Sequence, residues 1–267
     1  MSETPAIRAG CLVLSALWFG VFGLLLILDR TAGSSPGLGL YSYILSFVML
    51  AGTVMVSAWA LSERWADRAG VLAALVGVLI LVAALVSPLE VAMYGLIAGY
   101  ALLLVCGCVG ALIGRRIEDA AYLWPLTIVM VSFDLWSVFA AAGVTQELVI
   151  EPTAEVGRAL LVLSFPVPGL GVQPVLGIGD VIVVSLFYSA VHWLGLSLRR
   201  LTFGLSIGFG LCLMALFLFQ VPLPALAFIA PSAVIALGDE AKPRMKELMI
   251  AAVFCAIGLS LLHLIRS

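Results

Sequence analysis

Residues 121–144 read AYLWPLTIVMVSFDLWSVFAAAGV, an apolar run with a single charge, Asp134, near its middle. A helix needs about 20 residues to cross the ~30 Å hydrocarbon core of a bilayer, so this run is long enough to span. Working outward by the same criterion, with breaks at Arg, Lys, Asp, Glu, Pro and Gly, gives nine expected spans. They cover 9–28, 41–61, 71–87, 91–113, 121–144, 175–197, 201–220, 222–238 and 247–265. Composition agrees: of 267 residues 64% are apolar and only 10% charged, with a mean hydropathy of +1.24. A soluble domain keeps roughly a quarter of its residues charged, so a soluble globule is excluded. The expected fold class is an all-α polytopic membrane protein of about nine transmembrane helices. The spans use up the length, so 1–267 reads as a single integral membrane domain.

Nine spans place alternate loops on opposite sides of the bilayer, which assigns the cations by side. Arg8, Arg64, Arg68, Arg115, Arg116, Arg199, Arg200, Lys242, Arg244 and Lys246 fall on the side of the N-terminus; Arg30, Arg158 and Arg266 fall on the other. Lys and Arg concentrate in cytoplasmic loops, so the N-terminus is expected in the cytoplasm and the C-terminus on the exoplasmic side. The first run reads as a signal anchor, being longer than a usual signal-peptide core and followed by no small-residue cleavage site.

Several function classes drop out. A net charge of -2 without a basic patch leaves no footprint for nucleic acid, so no nucleic-acid partner is expected. Cys11, Cys106, Cys108, Cys212 and Cys255 all lie in apolar runs with no C-x-x-C pair and read as small buried hydrophobes. His192 and His263 are the two imidazoles, in no H-E-x-x-H arrangement, so neither a metal nor a zinc-dependent protease is expected. No Ser sits in a G-x-S-x-G turn, which weakens Ser/His chemistry. No cofactor is expected. Gly204-x-x-x-Gly208 reads as a helix-packing motif.

Most of the 15 acidic residues lie in loops, in tails or at span ends; Asp134 and Asp180 lie within spans. A carboxylate at such depth costs a few kcal/mol on insertion scales, so it persists when it faces the interior of the bundle, usually for function. Asp134 lies ~10 residues and Asp180 ~5 residues from the exoplasmic ends of consecutive antiparallel spans, about 15 Å and about 8 Å down at ~1.5 Å per residue. Neighbouring helices pack about 8 to 10 Å apart, so inward-facing carboxyls at similar depth can meet. Like charges that close do not both ionise: one carboxyl stays protonated and the other charged, the acid and base pair of aspartic proteolysis.

Two further features flank the pair. Gly177 and Gly179, before Asp180, carry no Cβ and so allow close approach of a neighbouring helix or a substrate backbone. Pro222 and Pro224 interrupt what would otherwise be one long apolar stretch, leaving backbone groups that must face protein or a watery cavity.

An Asp in one span, Leu176-Gly177-Ile178-Gly179-Asp180 opening the next and Pro224-Ala225-Leu226 two spans later form an ordered set, over about Asp134 to Pro231, all within 121–238. The set resembles the presenilin and signal peptide peptidase family of intramembrane aspartyl proteases, and the run from Pro224 through Phe228 to Pro231 is similar to the signal peptide peptidase branch. The resemblance implies a presenilin-like bundle with Asp134 and Asp180 as the catalytic pair. It makes Gly177, Gly179, Pro224, Ala225 and Leu226 the residues that shape the site and bind substrate. Transmembrane or signal-peptide substrates and the lipid bilayer are then the expected partners. The chain departs from the family at Phe133, where a Tyr is usual. It also departs in span count, with four spans before the first aspartate instead of five and one extra span after Pro-Ala-Leu.

Two other readings compete. A prepilin-peptidase-like membrane aspartyl protease also carries Gly-x-Gly-Asp, but usually has a Lys where this chain has Ile182, and lacks Pro-Ala-Leu. A proton-coupled transporter would use the same aspartates as a relay and the Pro-broken span as a discontinuous helix.

The loop between the two aspartate-bearing spans is the longest in the chain and therefore suspect as functional. Glu147, Glu151 and Glu155 recur every four residues and read as a solvated helix face. The run from Leu160 to Phe165, stopped by Pro166, Pro168 and Gly169, is too short to span and is expected to be extended at the membrane surface. Residues 171–176 lead directly toward Asp180. The resemblance implies that a substrate pairs with one of these segments as an added strand.

Overall fold

The computed structural model describes residues 4–32, 39–64, 67–86, 90–139, 162–219 and 223–266. The acidic face at Glu147, Glu151 and Glu155, together with Leu160, Leu161 and Pro222, lies outside the described residues. Within the described residues there are nine α-helices: α1 (Thr4–Ala32), α2 (Gly39–Arg64), α3 (Asp67–Val86), α4 (Val91–Gly114), α5 (Leu123–Phe139), α6 (Ile178–Trp193), α7 (Leu198–Phe219), α8 (Leu226–Leu237) and α9 (Met245–Arg266). Five stretches are long and apolar enough to cross a membrane: Val13–Thr31, Tyr41–Ser62, Ala92–Gly114, Ala120–Phe139 and Leu198–Phe219. Their neighbours are apolar on faces that look outward, as at Leu72 and Leu79, 63% and 69% exposed on α3. A helix apolar all round is stable in lipid and not in water, so the chain is a membrane protein.

Three elements differ from the sequence expectation. An antiparallel hairpin, β1 (Val162–Val167) and β2 (Gly171–Gly177), is added to a chain that is otherwise mostly helical, as the expected all-α class requires. The sixth helix starts at Ile178 and not at 175, because Val175, which is β-branched, and Leu176 continue β2. The eighth, expected over 222–238, has only 12 residues, about 18 Å at ~1.5 Å per residue, short of the ~30 Å hydrocarbon core. Gly238, at φ 59°, ends it.

The chain forms two compact units, Met1–Arg115 with Ala159–Ser189, and Arg116–Arg158 with Ala190–Ser267. In the first, the hairpin packs against α1, α2 and α4, with β1 as the inner strand. Leu163, Phe165 and Val167 are fully buried there, whereas β2 is half-buried along most of its length. Phe165 meets Trp18 and Phe22 of α1 at ring-centroid distances of 5.4 and 5.6 Å, the latter pair edge to face. Such pairs add about 0.5–1.5 kcal/mol each beyond their area. Trp18 Nε1 donates to the Leu96 carbonyl at 2.8 Å, tying α1 to α4. Ser46 Oγ of α2 donates to the Pro166 carbonyl of β1 at 2.8 Å. The hairpin thus gathers the last turns of α1 and the first turns of α2 and α4. At the opposite end of α2 and α4, the Arg115 guanidinium donates to the Leu61 carbonyl at 3.2 Å.

In the second unit, α5 packs against α8 and α9, and α7 packs along α8. Gly204 and Gly208 face α8 so closely that a Cβ at Gly208 would lie 2.7 Å from Ile229 Cα, and one at Gly204 2.5 Å from the Ser232 carbonyl oxygen. The two glycines are what lets the backbones approach, the packing role expected for the motif. Glu240, in the turn after α8, accepts from the Ser197 amide and the Arg200 guanidinium, both at 2.9 Å, and so holds the start of α7. Asp119 caps the 3-10 turn Ala120–Tyr122 before α5 and pairs with Arg244, ahead of α9, at 2.7 Å.

Candidate functional site

Asp134 stands on α5 in the second unit, half-buried, with its Oδ2 accepting the Leu226 amide at 2.9 Å. The reason lies in the sequence around α8. The first amides of any helix have no partner within it. Here the Pro224 carbonyl takes the Ala227 amide at 3.2 Å, and the Ala225 carbonyl takes those of Phe228 and Ile229 at 3.0 Å. The Leu226 amide is left facing α5, and Asp134 serves as its acceptor from another helix. Pro224 and Leu226 are buried and Ala225 is half-buried, so all three residues form the seat of this contact. Phe133, the neighbour of Asp134, points its Cζ toward Gly258 of α9, where a side chain at Gly258 would come within 3.2 Å. A tyrosine hydroxyl extends from that same Cζ, so the close passage of α9 accounts for a ring without one.

Asp180 lies in the first turn of α6 in the first unit, 7% exposed. Its Oδ2 accepts the Gly177 amide at 3.1 Å, closing the junction where β2 becomes α6. A Cβ on Gly177 would sit 3.3 Å from that oxygen. Gly177 therefore makes room for the carboxylate of its own motif, a different role from the approach of a neighbour expected from sequence. Gly179 is exposed, and a side chain there would meet no described atom within 4 Å.

Each aspartate thus accepts a backbone amide at or beside the start of a helix, Leu226 for Asp134 and Gly177 for Asp180, which helps fix the orientation of its carboxyl. Asp134, Pro224, Ala225 and Leu226 come together in the second unit; Gly177, Gly179 and Asp180 do so in the first. Two features went unseen in the sequence. One is the bond between Asp134 and Leu226, whose only trace was the proline two residues upstream. The other is a bulge in β2: Leu163 pairs with Leu176 and Ser164 with Pro174, so Val175 is an extra residue just before the Asp180 junction. Bulges re-aim a strand and recur beside functional sites. No protein-family model, curated protein or solved structure matches this chain.

Proposed function

We propose that this chain is an intramembrane aspartyl protease of the presenilin and signal peptide peptidase type, which hydrolyses peptide bonds in or near transmembrane helices or signal peptides. The observation that carries the reading is the 2.9 Å hydrogen bond from the Leu226 amide to Asp134. It joins the first and third elements of the ordered motif across 92 residues, as a shared site requires and unrelated motifs do not. A transporter relay has no need of that join, and the prepilin-peptidase pattern has no Pro-Ala-Leu to make it.

In this reading Asp134 and Asp180 share one proton. The charged carboxyl takes a proton from water as the water oxygen attacks the scissile carbonyl carbon, and the protonated carboxyl donates to the carbonyl oxygen. The resulting gem-diol collapses as a proton passes to the amide nitrogen and the C–N bond breaks. A helical substrate hides that bond in its own hydrogen bonds. The hairpin contains only two strands among the described residues, and β2 is the outer one. Addition of the unwound substrate along the far edge of β2 would hold the bond extended beside Asp180. The spans would cross the bilayer alternately, with the N-terminus cytoplasmic and the C-terminus exoplasmic.

The test uses the purified full chain in liposomes with a single-span reporter. Cleavage within or near the span, blocked by a peptide mimic whose hydroxyl stands for the gem-diol, is the expected result. Cleavage insensitive to that mimic, or proton transport without cleavage, would overturn the proposal.

A further inference from the structure

The hairpin is held at its turn by a residue that belongs to neither aspartate motif. Asp29, on the last turn of α1, accepts through Oδ1 from the Gly169 amide at 2.7 Å and from the Gly171 amide at 3.4 Å. Both glycines have positive φ, 84° and 73°, so the turn is built from the residues with most backbone freedom. Within it the Leu170 amide bonds the Val167 carbonyl at 2.9 Å, which closes the turn but does not attach it to anything else. Ser46 holds β1 at Pro166. Asp29 holds the turn through the residue that starts β2.

β2 runs from Gly171 to Gly177, about 20 Å at ~3.3 Å per residue, and passes directly into the helix that carries Asp180. A clamp at one end and the Gly177 to Asp180 bond at the other fix the strand along its whole length. Register matters there, because a slip of one residue moves a paired strand by ~3.3 Å and turns every side chain to the opposite face.

We propose that Asp29 is a positioning residue, clamping the hairpin turn so that β2 presents a fixed edge and a helical substrate is cut at one bond. The proposal rests on the protease reading above and names a specificity determinant for it. Asp29 touches no reacting atom; it acts through the hairpin.

The experiment compares the full-length wild type, Asp29→Ala and Asp29→Asn by two measurements. Hydrogen exchange of peptides covering 167–171 reads the clamp without any need for activity. Mass spectrometry of the products from a single-span reporter, alongside KM and kcat for the reporter and for a short peptide already extended, reads the positioning. Asp29→Ala is expected to raise exchange in the turn more than tenfold, to spread cleavage over neighbouring bonds and to raise KM for the helical reporter several-fold. The extended peptide is expected to keep its kcat. Asp29→Asn retains an acceptor oxygen and is expected to restore the single cut. Unchanged exchange in Asp29→Ala, or the same single cut with unchanged KM, would overturn the proposal. A wild type that cuts nothing, with the exchange difference intact, would overturn the protease reading and with it the positioning role, and is distinguishable by that exchange signal.

Discussion

Substitution separates the contact that Asp134 makes with the Leu226 amide from the chemistry proposed for it. Asn keeps an acceptor oxygen for the Leu226 amide, whereas Ala leaves that amide at a helix start without its partner. An orphaned amide costs about 1–3 kcal/mol, so Asp134→Ala is expected to be less stable than Asp134→Asn by that amount in denaturant unfolding. Equal stability of the two variants would contradict the contact. For the wild type, cleavage is expected to follow a bell in pH, because only the singly protonated pair is active and its limbs belong to the pair. A rate that keeps rising into alkali with the protein folded would argue for another chemistry. The aspartates were legible in the sequence because a charge inside an apolar run is costly and rare. The amide of Leu226 was not, since backbone donors are the same at every residue and only Pro224 hinted that one was left over. Asp29 escaped notice because an acid at the end of a span is ordinary.

At the scale of elements, the contact to Asp134 is carried by α8, the shortest α-helix among the described residues. Its position depends on the glycine face of α7. Gly208→Ala would place a Cβ 2.7 Å from Ile229 Cα, with backbone and not a pliant side chain in the way. It is expected to cost about 1–3 kcal/mol and to lower cleavage by displacing the start of α8. Gly210→Ala, where a Cβ meets nothing within 4 Å, is the control and is expected to be neutral or stabilising by about 0.5–1 kcal/mol. Equal effects in a thermal-unfolding comparison would refute the close-packing account. Most helices could be read from apolar length alone. The run from Leu160 to Phe165 was visible as an extended segment, but neither its pairing with β2 nor the boundary of β2 with α6 was, because Val175 and Leu176 suit a strand or a span equally. The short α8 was hidden for a similar reason: composition shows how apolar a stretch is and says little about where a proline lets the helix begin.

For the molecule as a whole, the membrane character was readable in the sequence, from apolar runs long enough to cross a bilayer. The arrangement of the chain in two compact units was not, since it depends on which helices touch. One loop contact ties stability in the second unit to pH. Asp119 is held below the usual carboxylate range, first by the Ala121 amide and also by the Arg244 guanidinium. Folding gains from its charge above the unfolded carboxylate pKa, and the gain is lost as the pH falls through the lowered native value. Asp119→Asn is therefore expected to reduce the unfolding temperature at neutral pH and to match the wild type in acid below that value; a difference independent of pH would contradict this. The central claim is that two carboxyls act as one acid and base pair on peptide bonds in the membrane. Its most direct measurement is the turnover of a single-span reporter by purified wild type, Asp134→Asn and Asp180→Asn, each checked to be folded. The expected result is cleavage by the wild type and none by either variant; substantial cleavage by either folded Asn variant would contradict the account.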